Sequence, residues 1–489
     1  MPILTVIQNN KKHTLGFEGT PLLKDMLIKN GLYSDFPCGG RGDCKKCAVN
    51  VSGKISDPTE AEKQAGLRLA CQTVLYGDTT VVLRSEDTKK AYIQKDITTV
   101  PYHGGNFKYG AALDIGTTTI AMKLFSADGS CLAESGALNP QRAYSADIMG
   151  RIDFALKGGG DILQNAVKEC ILSLLSQCCQ KVSVSVNNVD KMVIAGNTAM
   201  MYLLMGKSPA SIAEYPFRSE TLFGYKTYLW GIETLLLPCM NAFVGGDITA
   251  AVLSAGLCDK DKTALLCDIG TNGEIALWKD GKLYVTSTSA GPAFEGAEIS
   301  CGCGAVEGAV YRVWEEDGNV FAHTIGNKPA CGICGSGLID SVAAFLETGW
   351  IDRTGAVKAP LVITANGGSI SLTQNDIRAF QLAKSAIAAG IQVLLNRSKT
   401  EKEQVTELFL AGGFGTRLDT SSAEKTGLLP SVLAKRSVSI GNAALAGAAC
   451  VLFNQSLVLQ AEKIAKNAVH IPLGGNEDFS TAFINNMDF

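Results

Sequence analysis

Neither sign of charge dominates this sequence: 44 lysines and arginines stand against 47 aspartates and glutamates in 489 residues, a net charge of −3. That balance excludes the general attraction by which basic chains bind nucleic acid or an anionic membrane surface. A leader is not expected either, because Met1-Pro2-Ile3-Leu4-Thr5-Val6 has neither the basic nor the apolar region of a secretory signal. The longest apolar run, near Ala443 to Phe453, is too short to cross a bilayer, so no membrane segment is expected. What the sequence does have is 46% apolar residues, enough length for three or four domains, and sixteen cysteines. Without a signal, those cysteines point to a reducing cytoplasm and to metal or redox use rather than disulfides.

Four of the cysteines fall in residues 1–87, which read as a unit. Ile3–Ile7 and Thr14–Phe17 form a hairpin pattern, and Thr20-Pro21 is placed to cap a helix from Leu22 to Lys29. The loop Pro37-Cys38-Gly39-Gly40-Arg41-Gly42-Asp43-Cys44-Lys45-Lys46-Cys47 follows, and Cys71 comes later, giving the spacing C-x5-C-x2-C-x23-C. Three thiolates from one tight loop plus one distant thiolate suit a 2Fe–2S cluster. The loop glycines supply unusual dihedrals and leave backbone N–H groups to bond sulfur. A structural zinc site is the alternative, but it ordinarily shows paired C-x2-C knuckles. Residues 88–109 read as a linker, and His103 within it is given no role.

From Tyr109 onward the pattern is α/β. Ala112-Leu113-Asp114-Ile115-Gly116-Thr117-Thr118-Thr119-Ile120 is an apolar strand ending in an acid and turning through small residues into a second strand. Leu265-Leu266-Cys267-Asp268-Ile269-Gly270-Thr271-Asn272-Gly273-Glu274 repeats the design about 150 residues later. Glycine lets backbone approach a ligand closely, successive N–H groups form an anion nest, and the carboxylate can hold Mg²⁺ through water. Between the two, Ile194-Ala195-Gly196-Asn197-Thr198 joins a strand to a helix, and Gly245-Gly246-Asp247 opens another helix. After them come the glycine turn Gly412-Gly413-Phe414-Gly415 and the small-residue helix from Gly441-Asn442-Ala443.

That order of features resembles the superfamily of actin, sugar kinases and heat-shock chaperones, and the N-terminal stretch resembles ferredoxin-like domains. Together they resemble a narrower family, the ATP-dependent reductive activators of corrinoid proteins. Gly291-Pro292-Ala293-Phe294-Glu295-Gly296-Ala297, Gly332-Ile333-Cys334-Gly335-Ser336-Gly337 and Asp376 to Lys384 add to the resemblance. It implies an α+β, β-grasp ferredoxin-like domain over 1–87. It also implies an α/β two-lobed, actin-like (duplicated ribonuclease-H-like) ATPase with lobe I at 110–258 and lobe II at 259–489. Longer members carry a further small domain between cluster and ATPase, where this chain has only the linker.

The implied activity is one-electron reduction of a Co(II) corrinoid, held by the corrinoid protein of a methyltransferase system, to Co(I). It would be driven by ATP and fed by an upstream low-potential reductant, with Cys38, Cys44, Cys47 and Cys71 holding the cluster. Asp114 and Asp268 would orient Mg²⁺, and Gly116, Thr117, Thr118, Thr119, Gly270, Thr271, Asn272 and Gly273 would contact phosphate. Gly412, Gly413 and Gly415 would line the adenosine. Asp247 either positions the attacking water or caps its helix. Cys301/Cys303 and Cys331/Cys334 are either a second metal site or small buried residues in turns. The resemblance leaves room for a homodimer. Activators of 2-hydroxyacyl-CoA dehydratases share the ATPase fold but lack the ferredoxin domain. A redox-responsive nucleotide-binding protein without turnover is the reading from another class, and a sugar kinase has no use for a cluster.

Overall fold

The computed structural model describes residues 1–8, 11–32, 36, 38–42, 45–83, 104–259, 261–296, 298–412 and 418–489. The expected linker therefore lies outside the described residues as far as 103, as do Cys44, Gly413 and Gly415. The chain divides into two compact units, Met1–Lys90 with Leu138–Cys170, and Ala91–Ala137 with Ile171–Phe489.

In the first unit the strands are β1 (Ile3–Gln8), β2 (Lys11–Gly16), β3 (Ala48–Ile55), β4 (Arg68–Leu69) and β5 (Leu75–Val82). Their order in the sheet is β2-β1-β5-β3-β4, with β1 parallel to β5 and antiparallel to β2. Alternate residues point to one side, and Leu4, Val6, Leu75 and Val81 close a core with Leu23 and Leu27 of the helix Leu23–Lys29. This is the expected β-grasp arrangement. The helix start differs from the Thr20-Pro21 expectation: Leu22 is the cap residue and offers no side-chain bond. The first helical N–H groups are instead taken by tertiary backbone partners, Leu23 by Thr73 O at 2.8 Å and Lys24 by Ala70 O at 2.9 Å. The helix is thereby fastened to the segment that carries Cys71.

Residues 138–170 complete this unit. A helix begins at Ile148, where the Asp147 carboxylate caps it by accepting the Gly150 N–H at 2.7 Å. The carbonyl of Tyr144 stands 3.1 Å from where a Cβ on Gly39 would lie, so this segment abuts the cysteine loop.

The second unit holds two six-stranded sheets. One contains β6 (Tyr109–Ile115), β7 (Thr119–Ser126), β8 (Cys131–Leu138), β9 (Val189–Gly196), β10 (Lys226–Leu229) and β11 (Ile232–Leu236), in the order β10-β11-β9-β6-β7-β8. The next strands are β12 (Ala264–Ile269), β13 (Asn272–Lys279) and β14 (Lys282–Ser289). They are followed by a three-stranded sheet of β15 (Ala309–Glu316), β16 (Asn319–Thr324) and β17 (Gly332–Ile333), and by a hairpin of β18 (Leu361–Ala365) and β19 (Gly368–Leu372). β20 (Glu407–Ala411), β21 (Ser437–Gly441) and β22 (Val469–His470) complete the second large sheet, ordered β21-β20-β12-β13-β14-β22.

The two large sheets share one plan. A hairpin, β6-β7 or β12-β13, leads each sheet, and its first strand pairs in parallel with a later strand, β9 or β20. Each plan ends in a small-residue helix, Gly246–Ser254 in the first and Ala443–Phe453 in the second. These two helices pack on each other at Gly447, where a Cβ would lie 1.9 Å from Ala250 O. Glycine is required there for the helices to meet. Their apolar faces form one buried cluster with both sheets.

Candidate functional site

In the first unit, Cys38, Cys47 and Cys71 are all buried. The three thiols act on one another: Cys71 holds Cys47 below its ordinary pKa, and Cys38 and Cys47 push Cys71 up. Donors face the sulfurs, with Gly42 N–H 3.4 Å from Cys38 Sγ and Gln72 Nε2 3.8 Å from Cys71 Sγ. Gly39, Gly40 and Gly42 all have positive φ, 66°, 104° and 86°, so the loop takes a path open chiefly to glycine. Soft thiolates, aimed N–H groups and a glycine loop fit an iron–sulfur cluster, with Cys44 as the fourth position outside the described residues.

In the second unit the duplicated hairpins bring their acids together. Asp114 ends β6 and Asp268 ends β12, one residue before each turn. The turns close through Gly116 N–H to Thr119 O at 3.0 Å and Gly270 N–H to Asn272 O at 2.9 Å. Asp247 lies in the first turn of the helix Gly246–Ser254. It is not the cap: Gly245 holds that position, and Asp247 Oδ1 accepts the Ile248 N–H at 2.8 Å. Asp247 thus satisfies a first-turn N–H of this helix without holding its cap position.

These carboxylates strain against one another. Burial pushes Asp114 up to about 7, opposed by a hydrogen bond from Asn442 and reinforced by Asp247. Burial also takes Asp268 to about 7, with Asp247, Asp114 and Glu295 adding to it, and Asp247 to about 6. Glu274 is raised well above the usual range by burial and by Asp247 and Asp268. Asp247 thus acts on all three of the others. Clustered like charges in a desolvated cleft favour a divalent cation. Among the described residues no three such groups stand at direct ligand spacing for one metal ion, and carboxylates so placed can serve a hydrated cation through water.

Four residues of the site carry no role in the sequence reading. Asn442 donates to Asp114 across the lobes at 2.9 Å. Asn197 donates to Thr117 Oγ1 at 3.1 Å while capping its own helix through Met200 N–H. Glu274 stands opposite Asp268 in the β12-β13 ladder, a position the hairpin register could have revealed. Glu295 accepts hydroxyl bonds from Thr118 and Thr271. Gly412, at φ 98°, abuts Asp268: a Cβ there would meet Asp268 Oδ1 and Ile269 O, each at 2.6 Å. The two remaining cysteine pairs lie on adjacent segments, with Cys303 N–H on Ile333 O and Ile333 N–H on Cys301 O. The Cys331 thiol donates to Glu307 O and the Cys334 thiol to Val310 O.

Duplicated sheets whose two Asp-Gly hairpins are joined through Glu295 and Asn442, in one chain with a β-grasp domain that carries the cysteine loop, define an actin-like ATPase with an iron–sulfur domain. The chain belongs to the family of ATP-dependent reductive activators of corrinoid proteins. The family model for the C-terminal domain of RACo, the ASKHA domain, matches residues 262–489, and that for the RACo middle region matches 109–260. The 2Fe-2S iron-sulfur cluster binding domain matches 6–76. The chain is 30% identical to the corrinoid activation enzyme RamQ of Eubacterium limosum, over 96% of either protein. It is 25% identical to a Co(II) methylated amine-specific corrinoid protein reductase of Methanosarcina barkeri, over 78% of this chain and 77% of that one. A solved reductive activator for corrinoid, iron-sulfur protein superposes with a TM-score of 0.73 and 26% identity, covering 99% of this chain and 98% of the other. The middle-region match, 109–260, covers the span expected as lobe I, 110–258. No helix among the described residues is long and apolar enough to cross a membrane.

Proposed function

We propose that this chain binds Mg·ATP in the cleft between the Asp114 and Asp268 hairpins and uses that binding to drive one electron onto a corrinoid held by a partner protein. The cobalt goes from Co(II) to Co(I), and an upstream low-potential donor re-reduces the chain. The observation that carries this reading is the meeting of the two hairpins, whose turns share one Glu295 oxygen through Thr118 at 2.6 Å and Thr271 at 2.7 Å, with Asp247 acting on Asp114, Asp268 and Glu274 beside them. A group that neighbours both hairpins can orient water between Mg²⁺ and a terminal phosphate, and Asp247 is given that role. Asp114 and Asp268 hold the cation's waters. Gly116 to Thr119 and Gly270 to Gly273 are given the phosphate contacts, with the Gly116 and Gly270 N–H groups spent on closing their turns, and Gly412, Gly413 and Gly415 would line the adenosine.

A 2Fe–2S cluster held by Cys38, Cys44, Cys47 and Cys71 supplies a one-electron carrier near roughly −400 mV. Co(I) corrinoids are expected to lie lower, and each 100 mV of deficit costs about 2.3 kcal/mol per electron. ATP offsets that cost only through a shape change that favours the reduced partner. Two lobes that meet at Gly447 and Ala250 supply a hinge for it. A cytoplasmic location, and pairing into a homodimer, belong to this proposal. Its test is Asp268→Ala in the full chain: ATP turnover is expected to vanish while iron content and visible spectrum stay as in the wild type. Retained turnover would remove Asp268 from the site.

A further inference from the structure

One carboxylate oxygen joins the two hairpins. Glu295 Oε2 accepts the Thr118 hydroxyl at 2.6 Å and the Thr271 hydroxyl at 2.7 Å, and the two threonines belong to turns of different lobes. The other oxygen, Oε1, lies 3.8 Å from where a Cβ on Gly270 would stand, and the charge of Glu295 acts on Asp268. Glu295 ends a single 3₁₀ turn, Pro292–Glu295, flanked by Gly291 at φ 76° and Gly296 at φ 75°. The far side of that turn is fixed, since a Cβ on Gly296 would lie 2.7 Å from Cys303 N.

A threonine hydroxyl has one proton to give. While Thr118 and Thr271 donate to Glu295, neither can donate to a phosphate oxygen. A carboxylate oxygen and a phosphate oxygen are both anionic acceptors, and bonds to either are of the strong, charge-assisted kind. Glu295 therefore makes the contacts a nucleotide phosphate would make, and its charge repels that phosphate.

We infer that Glu295 is a resident anion of the nucleotide cleft. It takes the place of a phosphate oxygen at Thr118 and Thr271, bridges the two hairpins while no nucleotide is bound, and releases both hydroxyls when nucleotide binds. This rests on the nucleotide reading above and adds a residue that sets the affinity of that site. A group that instead helped to hold Mg²⁺ would act with the opposite sign.

The test uses the full-length protein and a non-hydrolysable ATP analogue, titrated calorimetrically with EDTA and again with Mg²⁺. Glu295→Ala is expected to bind about tenfold tighter in both conditions, the equivalent of regaining one net charge-assisted hydrogen bond. Glu295→Gln is expected to tighten binding by less, because an amide oxygen still accepts the hydroxyls but carries no charge. The nucleotide-free melting temperature of Glu295→Ala is expected to fall, since the bridge is lost. General damage from the substitution would not tighten binding, and if the alanine variant fails to fold, the glutamine variant alone decides. Equal or weaker binding by a folded variant, beside a wild type that binds, overturns the inference and leaves the nucleotide reading standing. A wild type that binds no analogue overturns both.

Discussion

The side-chain amide of Asn442 donates to Asp114 Oδ2 at 2.9 Å, and its oxygen accepts the backbone N–H of Leu445 at 2.8 Å. One residue thus caps a helix of the second lobe and steadies a carboxylate of the first. Asn442 holds the cap position that Gly245 holds in the first lobe, two residues before Asp247. The duplicated plan has put an acid at one helix start and an amide at the other.

The two jobs of Asn442 can be separated. Asn442→Asp keeps the cap, because aspartate and asparagine cap equally well, but sets a second carboxylate against Asp114. The expected result is a melting temperature at pH 6 close to the wild type, with ATP turnover strongly reduced near pH 7 and partly restored at higher pH. A variant as active as the wild type at pH 7 would show that Asp114 does not depend on this bond.

Stability of the nucleotide-free protein should follow the raised carboxylates. Asp114 and Asp268 titrate at about 7 and Asp247 at about 6 in the fold, against roughly 3.9 for a free aspartate. The folded state holds more protons between those values, so the stability these groups lend is present below about pH 4 and lost as pH rises through 6 to 7. Mg·nucleotide binds the ionised forms. Its stabilising shift in melting temperature should therefore grow from pH 5.5 to pH 8. A shift that stays flat across that range would mean that these carboxylates do not serve the cation.

Asp247→Asn is the test of the water-positioning role. The change removes a strained charge but leaves an oxygen for the Ile248 N–H, and the cap at Gly245 is untouched. Nucleotide binding should persist, melting temperature at pH 8 without Mg²⁺ should be equal or higher, and turnover should fall by at least about a hundredfold, as for loss of a general base. Turnover within a few-fold of the wild type would remove Asp247 from the chemistry.

Much of this was legible in the sequence, for a local reason. Asp114 and Asp268 sit where a strand, an acid and a glycine turn follow one another, and that pattern needs no tertiary knowledge. The cysteine loop announces itself in the same way. Asn442 and Glu295 were in plain view as residues, but their partners lie 328 and 177 positions away, and only the folded duplication brings them together. Glu274 was readable from the hairpin register; its counterpart opposite Asp114 is Ala121, so the two lobes share a frame but not a charge pattern. The first helix misled for the converse reason: Thr20-Pro21 is a good local cap signal, and backbone carbonyls of Ala70 and Thr73 displaced it.

The nucleotide site and the cluster of one chain act together to carry an electron to cobalt. The direct measurement is the optical appearance of Co(I) in a Co(II) corrinoid protein mixed anaerobically with reductant, Mg·ATP and this protein. The wild type should carry about two iron per chain and form Co(I) only when ATP is present. Cys47→Ser should lose the cluster spectrum and form none, and Asp268→Ala should keep the spectrum and form none. Co(I) formed at the wild-type rate without ATP, or by the chain lacking its cluster, would show that the two do not act together.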